Sequence, residues 1–598
     1  MAVIATAGHV DHGKSTLVLT LTGTDPDRWA EEKARGLTID LGFAHTVLPS
    51  GIELSFIDVP GHVRFLKNML AGVGGVDGCL FVVAATEGWK PQSEEHLRIL
   101  QLLGARSGIV ALTKVGLVDD EWEELARMDV SDHVAGTFLE GAPILSVDAP
   151  TGRGVAKLRT ALDELVAATP QAVDRNRSRM WIDRVFAAKG AGTVVTGTLA
   201  GGSLSVDDTV EIIRTQAATG DSFGVLRSAR IRSLQSHGRS VQSVAAGNRV
   251  AVNLSGVSHD ELGRGDALVH PNRWHRTARF DAELTALATL DHSVSRRGAY
   301  VAYIGAGEHS VKVRILGTST LEPGTTGAVR LHLPVALPLL PGDRFILRDS
   351  GREETIGGGT VLDVAPRRPA SKAQPDADPD RIVHERGVVR LDEFDRLSGR
   401  PWDGPVIDSQ WAITEDDLTD RTARLQARVV DAGPRGFDVA TLSDIDRAVL
   451  KRLVEDPPVG GESHIVLDGG HAVLRSAPDP LADHPFVRAL EEQPFSPPDA
   501  ANVDRAELRE LVRKGRVIEA DGVHFAPTAI DQASATLYTM LSTTHPDGIT
   551  VAEVRDVLGT SRKHVLPLLA HLDATGRTRR RGDLRIAGPR MLREHGGD

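Results

Sequence analysis

The segment Gly8-His9-Val10-Asp11-His12-Gly13-Lys14-Ser15 sets the reading of everything around it. It is a Gly-x4-Gly-Lys-Ser pattern, the signature of a phosphate-binding loop. Phosphates need backbone N–H donors, a cation and a metal ligand. Glycines let successive N–H groups face one oxygen cluster. The helix expected to begin near Lys14, with Thr16 in its first turn, adds its positive end. Lys14 is placed to reach the β- and γ-phosphates, and Ser15 to bind Mg²⁺. The preceding Met1-Ala-Val-Ile-Ala-Thr-Ala7 reads as a strand and lacks the basic start of a signal peptide.

Outward from this loop, residues 1–174 alternate strand candidates with amphipathic stretches. The strands are Val3–Ala7, Leu54–Asp58, Cys79–Ala84, Gly108–Thr113 and Ile144–Val147. The helical patterns include Gln92–Leu103 and Val155–Ala168. This alternation predicts an α/β P-loop domain, a parallel sheet with helices on both faces. From 175 to 365, short Val/Ile/Leu runs are broken by Gly and Asp roughly every 8–12 residues, which predicts two β-barrels, at 175–269 and 270–365. The Pro-rich residues 366–380 read as a linker. Beyond them, Leu508–Ala526 aligns without gaps onto Leu569–Ala587, an offset of 61. Each copy reads helix, Gly stop, strand, two-residue turn, strand. That pattern predicts three or four tandem winged-helix units over 381–598, the last from about 534 to 598.

Size and composition agree with several domains. At about 150 residues per domain, 598 residues suggest roughly four. A net charge of −12 argues against a chain that coats nucleic acid non-specifically, while leaving room for a local basic patch. The single cysteine, Cys79, lies in an apolar run and reads as a small buried hydrophobe. One cysteine excludes a disulfide framework or a thiolate metal site. No apolar stretch approaches the roughly 18 residues of a membrane helix, so a cytoplasmic location with no membrane partner is expected.

Two further segments extend the phosphate chemistry. Asp58-Val-Pro-Gly61 follows the strand Leu54–Ile57. Asp58 there holds Mg²⁺ through water, and Gly61 offers its N–H to a γ-phosphate. In Arg35-Gly-Leu-Thr38, a threonine that ligates Mg²⁺ only in the presence of a γ-phosphate makes the loop a sensor.

The order and spacing of these motifs, with His62 directly after Gly61, resemble the translational GTPases, of which elongation factor Tu is the best-known member. The resemblance implies GTP and Mg²⁺ as ligands and makes His62 the group that positions the attacking water. Thr113-Lys114-Val-Gly116 stands where that family carries Asn/Thr-Lys-x-Asp, so Lys114 lies along the base. The family's Asp pairs two guanine N–H groups, and here the position is Gly116. Losing two charged hydrogen bonds weakens guanine discrimination by about 10²–10⁴. Three readings stay open: a relaxed base pocket, a nearby acid such as Asp119 or Asp120 in its place, or a variant peculiar to this copy. Ser146-Val147-Asp148 fits the fifth family motif, whose backbone contacts the guanine carbonyl, with Val147 at the usual Ala.

The stretch from Trp181-Ile-Asp183-Arg184-Val-Phe186 to Thr198 is most similar to the selenocysteine-specific elongation factors, the SelB family. Arg230–Gly238, Pro341–Asp349 and Ile356–Gly359 agree with this. The resemblance implies a factor that carries selenocysteyl-tRNA to the ribosome at a recoded UGA codon, acts as a monomer, and grips an mRNA hairpin through C-terminal winged helices. It also implies an aminoacyl pocket at Asp183, Arg184 and Arg232. A structural salt bridge at a domain interface is the competing role for these three. Residues 545–598 hold ten Lys/Arg against seven Asp/Glu, a local net of +3. Arg562, Lys563, Arg579, Arg580 and Arg581 are the candidate RNA contacts, at a helix start and a wing. Two alternatives remain: an RNA-binding adaptor with a degraded nucleotide site, and a Tu-like factor of different tRNA specificity.

Overall fold

The computed structural model describes residues 2–27, 38–62, 65, 68–70, 76–170, 172–188, 192–215, 226–456, 464–475 and 481–595. Residues 35–37 of the sensor segment and 189–191 of the second-domain motif lie outside them. The chain divides into two compact units, Met1–Gly404 with Gln410–Ile413, and Pro405–Ser409 with Thr414–Asp598.

The first unit begins with a six-stranded sheet of β1 (Ala2–Ala7), β2 (Gly42–Val47), β3 (Glu53–Asp58), β4 (Gly78–Ala84), β5 (Gly108–Thr113) and β6 (Ile144–Ser146), in the order β2-β3-β1-β4-β5-β6. All six residues of β1 are buried, because helices cover both faces of a central strand. Side chains alternate between the faces. Val3, Ala5 and Ala7 join one core with Phe81 and Val110, while Ala2 and Ile4 join the other with Leu17, Phe56 and Leu158. The helices described over their full length include α1 (Lys14–Thr22), α2 (Pro91–Leu102), α3 (Asp120–Val134) and α4 (Val155–Ala168). Pro91 opens α2 at its first turn, where a missing N–H costs nothing. Asp119 caps α3 by accepting the Trp122 N–H.

The expected all-parallel sheet is corrected at one edge. β2 runs antiparallel to β3, with the short turn at 48–52 between them. A connection that short permits only an antiparallel pair.

Two barrels come next. In the first, Arg179–Trp181, Gly192–Ala200, Arg249–Ser255, Leu226–Ser236, Thr209–Ile213 and Ala267–Val269 pair in sequence around a ring that closes on itself. Met180, Val195, Ile212, Ile231 and Val252 fill it. The second is a closed barrel of six strands. Its strand Gly307–Ile315 alternates buried and exposed along its whole length, as a strand with one face in the core must. Phe280, Phe345 and Leu347 are central to that core. Residues 366–380 contain no helix or strand. After them, the helices Arg381–Arg386 and Leu391–Ser398 pack Ile382, Val383 and Phe394 into the second barrel's own core.

The second unit repeats one plan, helices followed by a hairpin. The hairpins are Ile465–Asp468 with His471–Leu474, Ile518–Ala520 with Val523–Phe525, and Thr578–Arg581 with Leu584–Ala587. The internal repeat falls on matching elements. Leu511 and Leu572, aligned by the offset, are both fully buried on the helices that precede the second and third hairpins. Among the described residues no helix is long and apolar enough to cross a membrane.

Barrel packing generates a direct test. A Cβ on Gly359 would stand 2.2 Å from the Glu283 carbonyl oxygen and 2.5 Å from the Phe345 ring. Gly359→Ala is expected to destabilise the second barrel by about 1–3 kcal/mol, the range for overpacking. Thermal unfolding of the full chain checks this, and an unchanged transition refutes it.

Candidate nucleotide-binding site

Strand β1 delivers the loop 8–13 to the start of α1. Gly8 has φ 129°, and a Cβ there would stand 2.1 Å from the Val82 carbonyl oxygen, so only glycine fits. Lys14 is 6% exposed, and its Nζ donates to the carbonyls of Gly8 (3.1 Å) and His9 (2.7 Å). Burial lowers its pKa to about 8, against the opposing pull of Asp58, Asp11 and Asp27. Gly61 closes on the loop: a Cβ there would stand 2.6 Å from Lys14 Nζ and 2.8 Å from the Val10 nitrogen. His62 comes directly after it, half-buried, its ring 6.0 Å from that of Phe65.

The three metal-ligand candidates meet. Ser15 Oγ donates to Asp58 Oδ2 at 2.7 Å and lies 2.8 Å from Thr38 Oγ1. Thr38 Oγ1 also donates to Asp27 at 2.9 Å. Two hydroxyls and two carboxyl groups thus converge within hydrogen-bond distance of one another. Asp58 is fully buried, and burial pushes its carboxyl up against the hydrogen bonds of Thr6 and Ser15 and the charge of Lys14. A crowd of oxygen donors around a buried carboxylate suits a small hard cation such as Mg²⁺. Ser15, Thr38 and Asp58 are the residues that would hold it.

Helix α2 supplies two groups the sequence reading missed. The Gly8 N–H donates to His96 Nδ1 at 3.1 Å, and the Val10 N–H to Gln92 Oε1 at 3.2 Å. Gln92 and His96 are four apart and share a helix face, the one local signal that could have flagged them. His96 can accept this bond only when Nδ1 is unprotonated, and burial lowers its pKa to about 3. His12, fully buried with Nδ1 at 3.3 Å from the Val82 oxygen, is lowered to about 4, again chiefly by burial. Its ring lies 5.1 Å from that of His9.

At the base end, Thr113 Oγ1 donates to the His12 carbonyl at 2.7 Å, and Lys114, with φ 60°, pairs with Glu87 at 3.2 Å. The fifth-motif residues make contacts of their own within the domain. The Val147 N–H is spent on the Leu112 carbonyl of β5 at 2.8 Å, and Ser146 Oγ donates to Glu123 on α3. Val147, the first residue beyond β6, is thus still tied to the sheet, and Ser146 is tied to α3.

The barrel residues Asp183 and Arg184 lie against the segment beyond Thr38. Asp183 is paired by Arg249 through two contacts of 2.6 and 2.8 Å, a partner the sequence reading did not name. Arg249 and Arg184 stand over the Phe43 ring, 3.5 and 4.4 Å from its centre. Arg184 also donates to the Leu41 carbonyl, and Arg264 pairs with Asp40 at 2.6 Å. Arg232 is exposed at a register shift between Leu226–Ser236 and Arg249–Ser255. In the second unit, Arg579, Arg580 and Arg581 are all exposed on one hairpin strand, and Arg562 and Lys563 are exposed at the start of a helix. Arg577 and Arg585, by contrast, are paired with Asp531 and Glu594, and with Asp573.

Comparison with known proteins places these features in a family. Residues 1–168 match the elongation factor Tu GTP-binding domain, 277–368 the selenocysteine-specific elongation factor β-barrel domain, and 542–587 the elongation factor SelB winged helix. The chain is 33% identical to the selenocysteine-specific elongation factor of Desulfomicrobium baculatum, over 98% of this chain and 99% of that protein. It is 30% identical to that of Escherichia coli, over 97% and 98%. Elongation factor Tu 2 of Streptomyces avermitilis is 30% identical, over 60% of this chain and 96% of that protein. Among solved structures, a crystal structure of bacterial selenocysteine-specific elongation factor EF-Sec superposes with a TM-score of 0.67 at 25% identity, covering 98% of this chain and 99% of that chain.

The two neutral histidines make stability depend on pH. Their folded pKa values, about 4 for His12 and about 3 for His96, lie below the ordinary 6.5. The unfolded chain therefore binds more protons, and stability falls as pH drops below about 6.5 and continues falling towards 4 and 3. His96→Gln keeps an acceptor for Gly8 but removes the titration. Its unfolding midpoint is expected to fall less steeply between pH 6.5 and 5 than that of the unsubstituted chain; parallel curves would refute the assignment.

Proposed function

The chain belongs to the selenocysteine-specific elongation factor family of translational GTPases, and we propose that it delivers selenocysteyl-tRNA to the ribosome at a recoded UGA codon. The observation that carries this reading is the length of chain beyond the Tu-like body. The Tu relative covers 60% of the chain, and after the barrels come repeated helix–hairpin units, one with three exposed arginines on its wing.

In this reading residues 1–174 hold GTP and Mg²⁺, the barrels at 175–269 and 270–365 hold the tRNA with the nucleotide domain, 366–380 link them to the tail, and 381–598 bind an mRNA hairpin. The last winged unit spans about 534–598. The loop from Gly8 to Thr16, with Gly61, Thr113, Lys114, Ser146 and Val147, surrounds the nucleotide. Mg²⁺, when bound, neutralises charge on the β- and γ-phosphates. Lys14 adds a cation to the same oxygens, and His62 orients the attacking water. A selenol ionises readily, so the aminoacyl pocket must be cationic. Arg184 and Arg232, with Arg249 beside Asp183, supply that charge. The factor acts as a cytoplasmic monomer.

Competition among selenocysteyl-, seryl- and cysteinyl-tRNA for the GTP-bound chain, read beside GTP hydrolysis on programmed ribosomes, tests the proposal. Preference for selenocysteyl-tRNA and accelerated hydrolysis are expected. Equal affinity for the three tRNAs sinks the cargo assignment, and hydrolysis indifferent to ribosomes sinks delivery. For the tail, Arg580→Ala with Arg581→Ala is expected to weaken hairpin binding and reduce the slope of log K against log salt by roughly 1–2. An unchanged slope contradicts the wing assignment.

A further inference from the structure

Gly116 leaves the guanine-reading position without a side chain, and the structure fills the space from another loop. A Cβ built on Gly116 would stand 3.0 Å from Asp148 Cγ, 3.0 Å from its Oδ2 and 3.2 Å from its Oδ1. The Asp148 carboxylate therefore lies where a side chain at 116 would project. Asp148 is 5% exposed and its placement is over-determined. Its N–H donates to the Arg153 carbonyl at 2.9 Å, its own carbonyl accepts from Gly152 at 2.9 Å, and its Oδ2 accepts from Thr151 Oγ1 at 2.6 Å. Oδ1 has no hydrogen-bond partner among the described residues. The sequence-adjacent acids are placed elsewhere. Asp119 is exposed and caps α3, and Asp120 is exposed in that helix's first turn.

We infer that Asp148 is the residue that reads guanine in this chain, supplying from the β6–α4 loop the carboxylate that position 116 lacks. The inference deepens the nucleotide reading above and rests on it. Guanine presents N1–H and a 2-amino group side by side, and an ionised carboxylate accepts from both. Hypoxanthine lacks the amino group. Xanthine sets a carbonyl oxygen against the carboxylate, and adenine offers a lone pair at N1 where guanine has a proton. The absence of a side chain at 116 is then a requirement: an aspartate there would force two carboxylates into one space.

The test uses the full chain and competition of GTP, ITP, XTP and ATP against a fluorescent GDP analogue. The unsubstituted chain is expected to prefer GTP over ITP by about 10-fold or more, and over XTP and ATP by on the order of 100-fold. Asp148→Asn replaces an acceptor with an amide that can donate to the xanthine carbonyl. Its GTP-to-XTP affinity ratio is expected to fall by on the order of 100-fold. That ratio is insensitive to the fraction of protein folded. Gly116→Asp alone is expected to weaken GTP, and Gly116→Asp with Asp148→Ser to recover it. An unchanged ratio in Asp148→Asn, equal affinity for GTP and ITP in the unsubstituted chain, or tighter GTP binding by Gly116→Asp alone each overturns the inference while leaving phosphate binding intact. A chain that binds no purine nucleotide overturns both the inference and the nucleotide reading beneath it.

Discussion

A carboxylate without solvent holds its charge only where donors surround it, and Asp58 is fully buried. Its two oxygens take 2.7 Å hydrogen bonds from Thr6 on β1 and Ser15 on α1. Thr6 also accepts the Val59 N–H, which fixes the exit of β3. The sheet order serves this contact, because β1 and β3 must be neighbours for Thr6 and Asp58 to meet. Through Ser15 the same network reaches Thr38, so one buried charge ties two strands, a helix and the segment that leads into β2. Removing any single donor would leave that charge under-solvated, which is the costly way to break a buried polar cluster.

The loop above Asp58 meets the opposite problem. Its backbone N–H groups have to remain available to an anion and still be satisfied within the protein. Two of them, at Gly8 and Val10, are met by His96 and Gln92 on α2, neutral acceptors that add no charge to a site already holding Lys14. Burial keeps both His96 and His12 neutral through the physiological range. The phosphate end of the site is thus set by desolvation as much as by the glycines.

Much of this was legible in the sequence where the signal was local or periodic. The Gly8–Ser15 pattern, the alternation of strands and helices and the offset of 61 each depend on neighbours in the chain. The contacts that escaped are long-range. His96 meets Gly8 across 88 positions, and Arg249 meets Asp183 across 66; the spacing of Gln92 and His96 marks a helix face but not what it meets. β2 escaped because it is half exposed and carries no continuous apolar run. The sheet contacts of the fifth motif escaped for a related reason. Where β6 stops decides which backbone amides are spent on the sheet, and a three-residue strand leaves little pattern to mark its end.

Phe43 stands one residue inside β2, five beyond Thr38, and is faced by the guanidiniums of Arg184 and Arg249. Asp40, between them, is paired with Arg264 of the same barrel. The segment that would sense the γ-phosphate is therefore continuous with the surface that fixes Asp183. Linkage makes such continuity run both ways. Whatever factor a bound nucleotide applies, through residues 38–43, to the affinity for a group seated beside Asp183 and Arg249, that group applies the same factor to the affinity for the nucleotide.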